Sequence, residues 1–125
     1  MKNDNFRMGM AFYADSALRE GIEKPYDDTR EIHSEWRMYI PPAAACISIA
    51  GEQLYELSFD NSIDQSAFRN RAAGCRWVDK LFCPERWDFW KHRFEVLADW
   101  DEMDGDCVVL ARKAAKDMAV FEKQY

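Results

Sequence analysis

The chain has 125 residues, room for one domain that buries roughly two-thirds of its unfolded surface, and no room for a second. With 48% apolar residues, 32% charged, five Gly and four Pro, collagen-like, low-complexity and disordered classes are excluded. The net charge of −6 sets the molecule as a whole against polyanions.

From Asn5 to about Ile22, Phe6, Met10, Tyr13, Ala14, Ala17 and Leu18 step by three and four and predict a first helix with one buried stripe. Asp4 or Asn5 can cap it, and Gly21 or the Pro25 turn ends it. Asp27 or Asp28 opens a second helix through Ile32, Trp36, Tyr39 and Ile40, expected to stop near Tyr39 because a residue preceding proline avoids the α region. Pro41-Pro42 suits the first turn of a third helix running to about Leu57, with Ala43, Cys46, Ile47, Ala50, Leu54 and Leu57 on one side. Its small residues mark it as the central, most buried helix.

Asp60, Asn61 and Ser62 signal a turn, "QSAFRNRAAG" a short helix ending at Gly74, and "CRWVDKLF" an extended connector. Pro84 starts the next helix at its first position, with Trp87, Trp90, Phe94, Leu97 and Ala98 on one face and Glu85, Arg86, Asp88, Lys91, His92 and Glu95 on the remaining arc. A last helix carries Cys107, Leu110, Ala111, Ala114, Met118 and Phe121, and the short connection makes the final two helices an antiparallel hairpin. The expectation is an all-α bundle of about five helices in a single domain, residues 1–125.

"CPERWDFWKHRF" mixes rings with bases, which raises the prospect of a surface that stacks nucleotide bases. Trp87, Trp90 and Phe94 stand at i, i+3 and i+7, however, and that spacing reads as a buried stripe. Arg86 and Arg93 flank it, to cover the rings with their stems or to pair with acids of a neighbouring helix. The segment Arg69–Lys80 around Trp77 is the better anion candidate, yet no helix-turn-helix, zinc-finger or RNP pattern accompanies it and the surrounding acidity opposes binding. Nucleic acid is therefore argued against as a partner.

"DWDEMDGD" offers hard oxygen ligands but fails the EF-hand pattern: counted from Asp99, position 5 is Met103, Gly105 falls at 7 and position 12 is Leu110. His92 with Asp88 and Glu95 lacks a second acid-histidine pair to complete a metal site. Neither metal nor cofactor is expected. Cys46 and Cys107 lie on apolar stripes, while Cys83 stands at an N-cap, where the helix dipole could lower its thiol pKa. GxSxG, P-loop, GxGxxG and HExxH patterns are absent. Four cysteines without a CxxC pair and a start without a signal-like apolar run point to a reducing compartment, cytoplasmic or nuclear, and no run approaches the ~20 apolar residues of a membrane span.

"PPAAACISIAGEQLYE" (residues 41–56), "FCPERWDFWKHRF" (82–94) and "ARKAAKDM" (111–118) together resemble a fungal family of uncharacterised helical proteins, a domain of unknown function with an FSxxRWxFWxxRF-like motif. The likeness spans about Met10 to Glu122, with Cys83 standing where the family carries Ser or Thr. Family members carry further helices upstream of a segment like "YADSALREGIE", so the resemblance implies a domain short of that layer, with apolar faces left for a partner. It supplies no catalytic residues; Arg86, Trp87, Trp90, Arg93 and Phe94 match the motif and read as structural. Two functions compete. The first is a scaffold or protein-protein interaction module that pairs with itself or a partner. The second is a small-molecule binding protein or enzyme of fungal secondary metabolism, its pocket lined by Trp36, Tyr55, Trp77, Trp87 and Trp90.

Overall fold

A computed structural model describes residues 4–23, 30–68, 81–100, 103 and 105–124. Within them the chain forms four α-helices, α1 (Asp4–Gly21), α2 (Arg30–Phe59), α3 (Pro84–Ala98) and α4 (Gly105–Gln124), with a 3-10 turn at Ser66–Phe68. No strand occurs among the described residues. The fold is all-α, and α2 is its axis: α1 and α4 pack along it, and α3 closes the bundle against α4.

Where the sequence predicts a second and a third helix a single helix runs, because α2 does not break at its prolines. Pro41 and Pro42 remove the N–H groups that would bond the carbonyls of Arg37 and Met38, and both of those residues are exposed, on the side of the helix where a missing donor costs least. Ile40, fully buried before the pair, holds the helical path by packing. The second half of α2 behaves as its small-residue pattern predicts, with Ala43, Cys46, Ile47, Ala50, Leu54 and Leu57 buried.

The stripe of α1 is rotated from the predicted one. Ala11, Ala14, Leu18 and Ile22 are buried, whereas Tyr13 is 59% exposed. At the end of α1 the backbone comes so close to α2 that a methyl group on Gly21 would lie 2.8 Å from the Tyr39 carbonyl oxygen. Glycine is what permits this approach.

Two Asx turns follow α2: Asp60 Oδ1 accepts from the Ser62 amide and hydroxyl, and Asp64 does the same for Ser66. They aim Gln65 inward. Its amide nitrogen donates to the Leu57 carbonyl at 2.8 Å and the Phe82 carbonyl at 2.9 Å, and its oxygen accepts from the Phe82 amide at 2.9 Å. One side chain thus fastens the end of α2 to the entrance of α3. Of the segment expected as a short helix, the described residues show the 3-10 turn at Ser66–Phe68; residues 69–80, with the rest of that segment and most of the connector, lie outside the described residues.

The last two helices form the antiparallel hairpin. Arg112 Nη2 donates to the Ala98 carbonyl near the turn, and at the far end Trp87 Nε1 and Lys91 Nζ both reach the Glu122 carboxylate, at 3.3 and 2.6 Å. α2 and α4 run in the same direction, since Ser48 meets Lys113 and Asp117 while Gly51, further along α2, faces Phe121. No described helix is long and apolar enough to cross a membrane.

Candidate functional site

Trp87, Trp90 and Phe94 are fully buried, as are Leu97 and, nearly so, Ala98. The i, i+3, i+7 spacing turns these rings toward α2 and α4 and away from solvent. Beneath them runs a series of touching rings: Phe12 to Phe68 (4.8 Å between centroids), Phe68 to Phe82 (5.2 Å), Phe82 to Trp90 (6.4 Å), Trp90 to Trp87 (6.4 Å) and Trp87 to Tyr55 (5.2 Å). Most of these pairs are edge-to-face, the arrangement that sets a ring's positive rim against its neighbour's negative face.

Arg86 departs from the sequence expectation. Periodicity assigns it to the charged outer arc of α3, yet the side chain is fully buried. Its Nε donates to Glu23 Oε2 at 2.7 Å, its Nη2 to Asp15 Oδ1 at 2.7 Å and its Nη1 to the Leu81 carbonyl at 3.0 Å. The guanidinium carbon also lies 5.0 Å from the Trp90 ring centroid and 5.5 Å from that of Phe82. Trp90 Nε1 donates to the same Glu23 oxygen at 2.7 Å, and Arg19 Nη2 reaches Asp15 Oδ1 at 3.0 Å. The buried Arg86 and the partly exposed Arg19 therefore balance the carboxylates of Asp15 and Glu23, where an uncompensated charge would be costly.

The reason for burial is positional. Asp15 falls within the Ala11, Leu18, Ile22 stripe of α1 and is itself fully buried, so the fold must bring it a cation. Arg86 does so at the carboxyl end of α1, where its charge also suits the helix dipole. Of the alternatives weighed for Arg86, pairing with a neighbouring helix is the observed one. Arg93 instead lies over Phe89, its guanidinium carbon 5.1 Å from the ring centroid. The missed residues are Asp15 and Glu23; an acid in register with an apolar stripe was the available signal.

The suggested aromatic pocket is only partly assembled among the described residues. Tyr55, half-buried, stacks on Phe59 at 4.4 Å and edges Trp87, while Trp87 and Trp90 are closed off from solvent. Trp77 and the basic segment Arg69–Lys80 lie outside the described residues, as does the side chain of Trp36. Asp88, His92 and Glu95 are all exposed on α3.

Cys83 corrects another expectation. It occupies the N-cap of α3 in extended conformation without a capping bond from its side chain. Burial raises its thiol pKa, and the adjacent Glu85 carboxylate adds to the rise against the opposing pull of the Arg86 amide and charge. Desolvation therefore outweighs the helix terminus. Cys46, Cys83 and Cys107 are free thiols, and burial pushes Cys46 up to about 11.

A groove of about 400 Å³ runs open along the outside of the hairpin, floored by Ala98, Ala115 and Ala119. Lys91, Glu95 and Asp99 stand on its α3 wall, Arg112 and Lys116 on its α4 wall.

The matched family settles the chain's kinship. A family model described as a protein of unknown function, DUF3632, covers residues 3–94. The chain belongs to this family. The DUF3632 segment takes in Asp15, Glu23, Arg86 and Trp90, so the whole buried ionic cluster lies within it, while α4 lies beyond. Neither a curated protein nor a solved structure matches the chain.

Proposed function

We propose that this DUF3632 protein is a helical interaction module that holds a protein partner and catalyses no reaction of its own. The observation that carries the reading is the outward side of α2. Met38 and Ile49 are each 69% exposed, Ala45 is exposed and Pro42 half-exposed, and these four residues fall at i, i+4, i+7 and i+11, an apolar stripe turned to solvent. Scattered apolar side chains on a surface call for no explanation, but a stripe at helical spacing has the form of a docking face. Meanwhile Arg86, Asp15, Glu23 and Trp90 are bonded to one another in the interior, which favours a structural use of these polar groups over a catalytic one. Three free thiols accord with a reducing compartment.

A small-molecule role is the second reading, favoured by the volume of the hairpin groove, which falls in the range of ligand pockets. Its open length and charged walls suit an extended partner better.

The test compares the intact chain with a Met38→Glu/Ile49→Glu variant, each sedimented with cell extract and the co-sedimenting protein quantified. A discrete protein bound in near-stoichiometric amount to the native chain, and at least tenfold less to the variant, is expected. Equal recovery with both chains overturns the reading, as does recovery with neither.

A further inference from the structure

The geometry points to a second copy of this chain as the occupant of the α3–α4 groove, forming a two-fold dimer through an antiparallel four-helix interface. This inference rests on the reading of the chain as an interaction module and names one partner and one surface.

Glu95, Asp99 and Lys116 line the groove, and among the described residues their side chains make no hydrogen bond or ion pair. Glu95 lies in the last turn of α3 and Asp99 caps its C-terminus four residues on, while Arg112 and Lys116 are one turn apart on α4. Lys91, also on the α3 wall, is paired with Glu122, so the charge left over on that wall is acidic and the other wall is basic.

Their levels along the groove are fixed by the hairpin register. Arg112 reaches the Ala98 carbonyl, which sets Arg112 level with Asp99. Because the helices are antiparallel, one turn back along α3 and one turn on along α4 set Glu95 level with Lys116. Now consider a two-fold axis parallel to the helices and lying between two grooves that face each other. Such an axis exchanges left and right walls while keeping every level. The acidic wall of each copy then meets the basic wall of the other, Glu95 opposite Lys116 and Asp99 opposite Arg112, twice over. Every adjacent helix pair in that assembly is antiparallel, and the alanine floor lets the backbones approach. An axis across the helices would set acid against acid and base against base. The pattern is thus self-complementary in one orientation, which is what a two-fold interface between identical chains requires. A partner of different sequence would need to reproduce both rows independently.

The experiment uses the full chain in analytical ultracentrifugation across concentration and salt, with helicity followed by circular dichroism. The native chain is expected to dimerise, more weakly as salt rises. Glu95→Lys/Asp99→Lys makes both walls basic, and Arg112→Glu/Lys116→Glu makes both acidic; each is expected to weaken self-association by roughly 100-fold or more. Mixed in equal amounts, the two variants regain opposite walls and are expected to form a heterodimer. If Arg112→Glu disturbs folding, Glu95→Lys and Lys116→Glu alone serve in the same mixing test. A native chain that stays monomeric at ~100 µM in low salt overturns the proposal, that being a concentration at which a micromolar dimer would be nearly complete. So does a dimer indifferent to both reversals, or reversed variants that stay apart when mixed. A dimer dissolved by Met38→Glu/Ile49→Glu but not by the reversals moves the interface to α2 and overturns it equally. A monomer that still binds a partner through the α2 stripe removes the dimer while leaving the interaction module standing.

Discussion

Replacing Arg86 by Met tests the energetic reading of the interior. Methionine nearly fills the same volume and keeps the apolar contacts with Phe82 and Trp90, but removes the cation. Asp15, fully buried, loses its 2.7 Å partner while keeping the 3.0 Å bond from Arg19, and the Leu81 carbonyl loses its donor. Glu23 keeps the indole of Trp90 and is slightly exposed, so its share of the penalty is smaller. Breaking a buried pair from one side costs about 3–5 kcal/mol, a large part of the roughly 5–15 kcal/mol that holds a domain folded. In urea, with a slope near ~2 kcal/mol per M, the unfolding midpoint should drop by about 2 M. Arg86→Met/Asp15→Leu removes the orphaned anion as well and should recover at least half of that loss, since a buried pair exchanged for apolar side chains is often near neutral. A single-variant midpoint within ~0.3 M of the parent, inside the error of such extrapolations, would mean that Arg86 is solvated and the account of the interior is wrong.

Gln65→Ala should lower stability by about 2–3 kcal/mol in the same titration, because three bonds to the Leu57 and Phe82 backbone go at once and the buried Phe82 groups stay unpaired. Gly21→Ala should cost roughly 1–3 kcal/mol by forcing α1 away from the Tyr39 carbonyl, whereas Gly9→Ala, which meets open space in the helix interior, should stabilise by about 0.5–1 kcal/mol; thermal melts of the pair separate the two effects. Cys46 holds its proton more tightly folded, up to about 11, than at its ordinary value of 9, so its contribution to stability is fully present below pH 9 and fades as pH climbs from there toward 11; the trend should vanish in Cys46→Ala. The thiols of Cys46 and Cys83 should also react slowly with a disulfide reagent at pH 8 in the folded chain and rapidly in denaturant, with rates followed by absorbance.

Spacing in the sequence was enough to find α3 and α4 and the buried half of α2, because each carries its apolar residues three and four apart without interruption. It failed where a local rule met a tertiary one. Pro41-Pro42 is a stop signal by local chemistry, yet the freed carbonyls belong to exposed residues and Ile40 is held by packing, so the helix runs on. Tyr13 looked like part of the α1 stripe and is exposed, because the stripe actually turns on Ala11 and carries Asp15 within it. A sorting of residues into apolar and charged faces places Arg86 outside. Only its match to Asp15, 71 positions away, explains why it is inside, and no spacing rule spans that distance. Of the candidate groove, the residue types were visible but the opposition of an acidic and a basic wall came from the hairpin register.

The parallel course of α2 and α4 has a consequence for how the protein comes into being. α4 lies far along the chain from the axial helix it covers, and its Phe121 lodges against Gly51. During synthesis the earlier helices leave the ribosome with the alanine-rich flank of α2 still bare, and at typical elongation speeds that flank waits about 3–15 s for its cover. The nascent bundle is sticky for that interval, so premature release before α4 should yield aggregates and demand chaperone attention well out of proportion to the small mass lost.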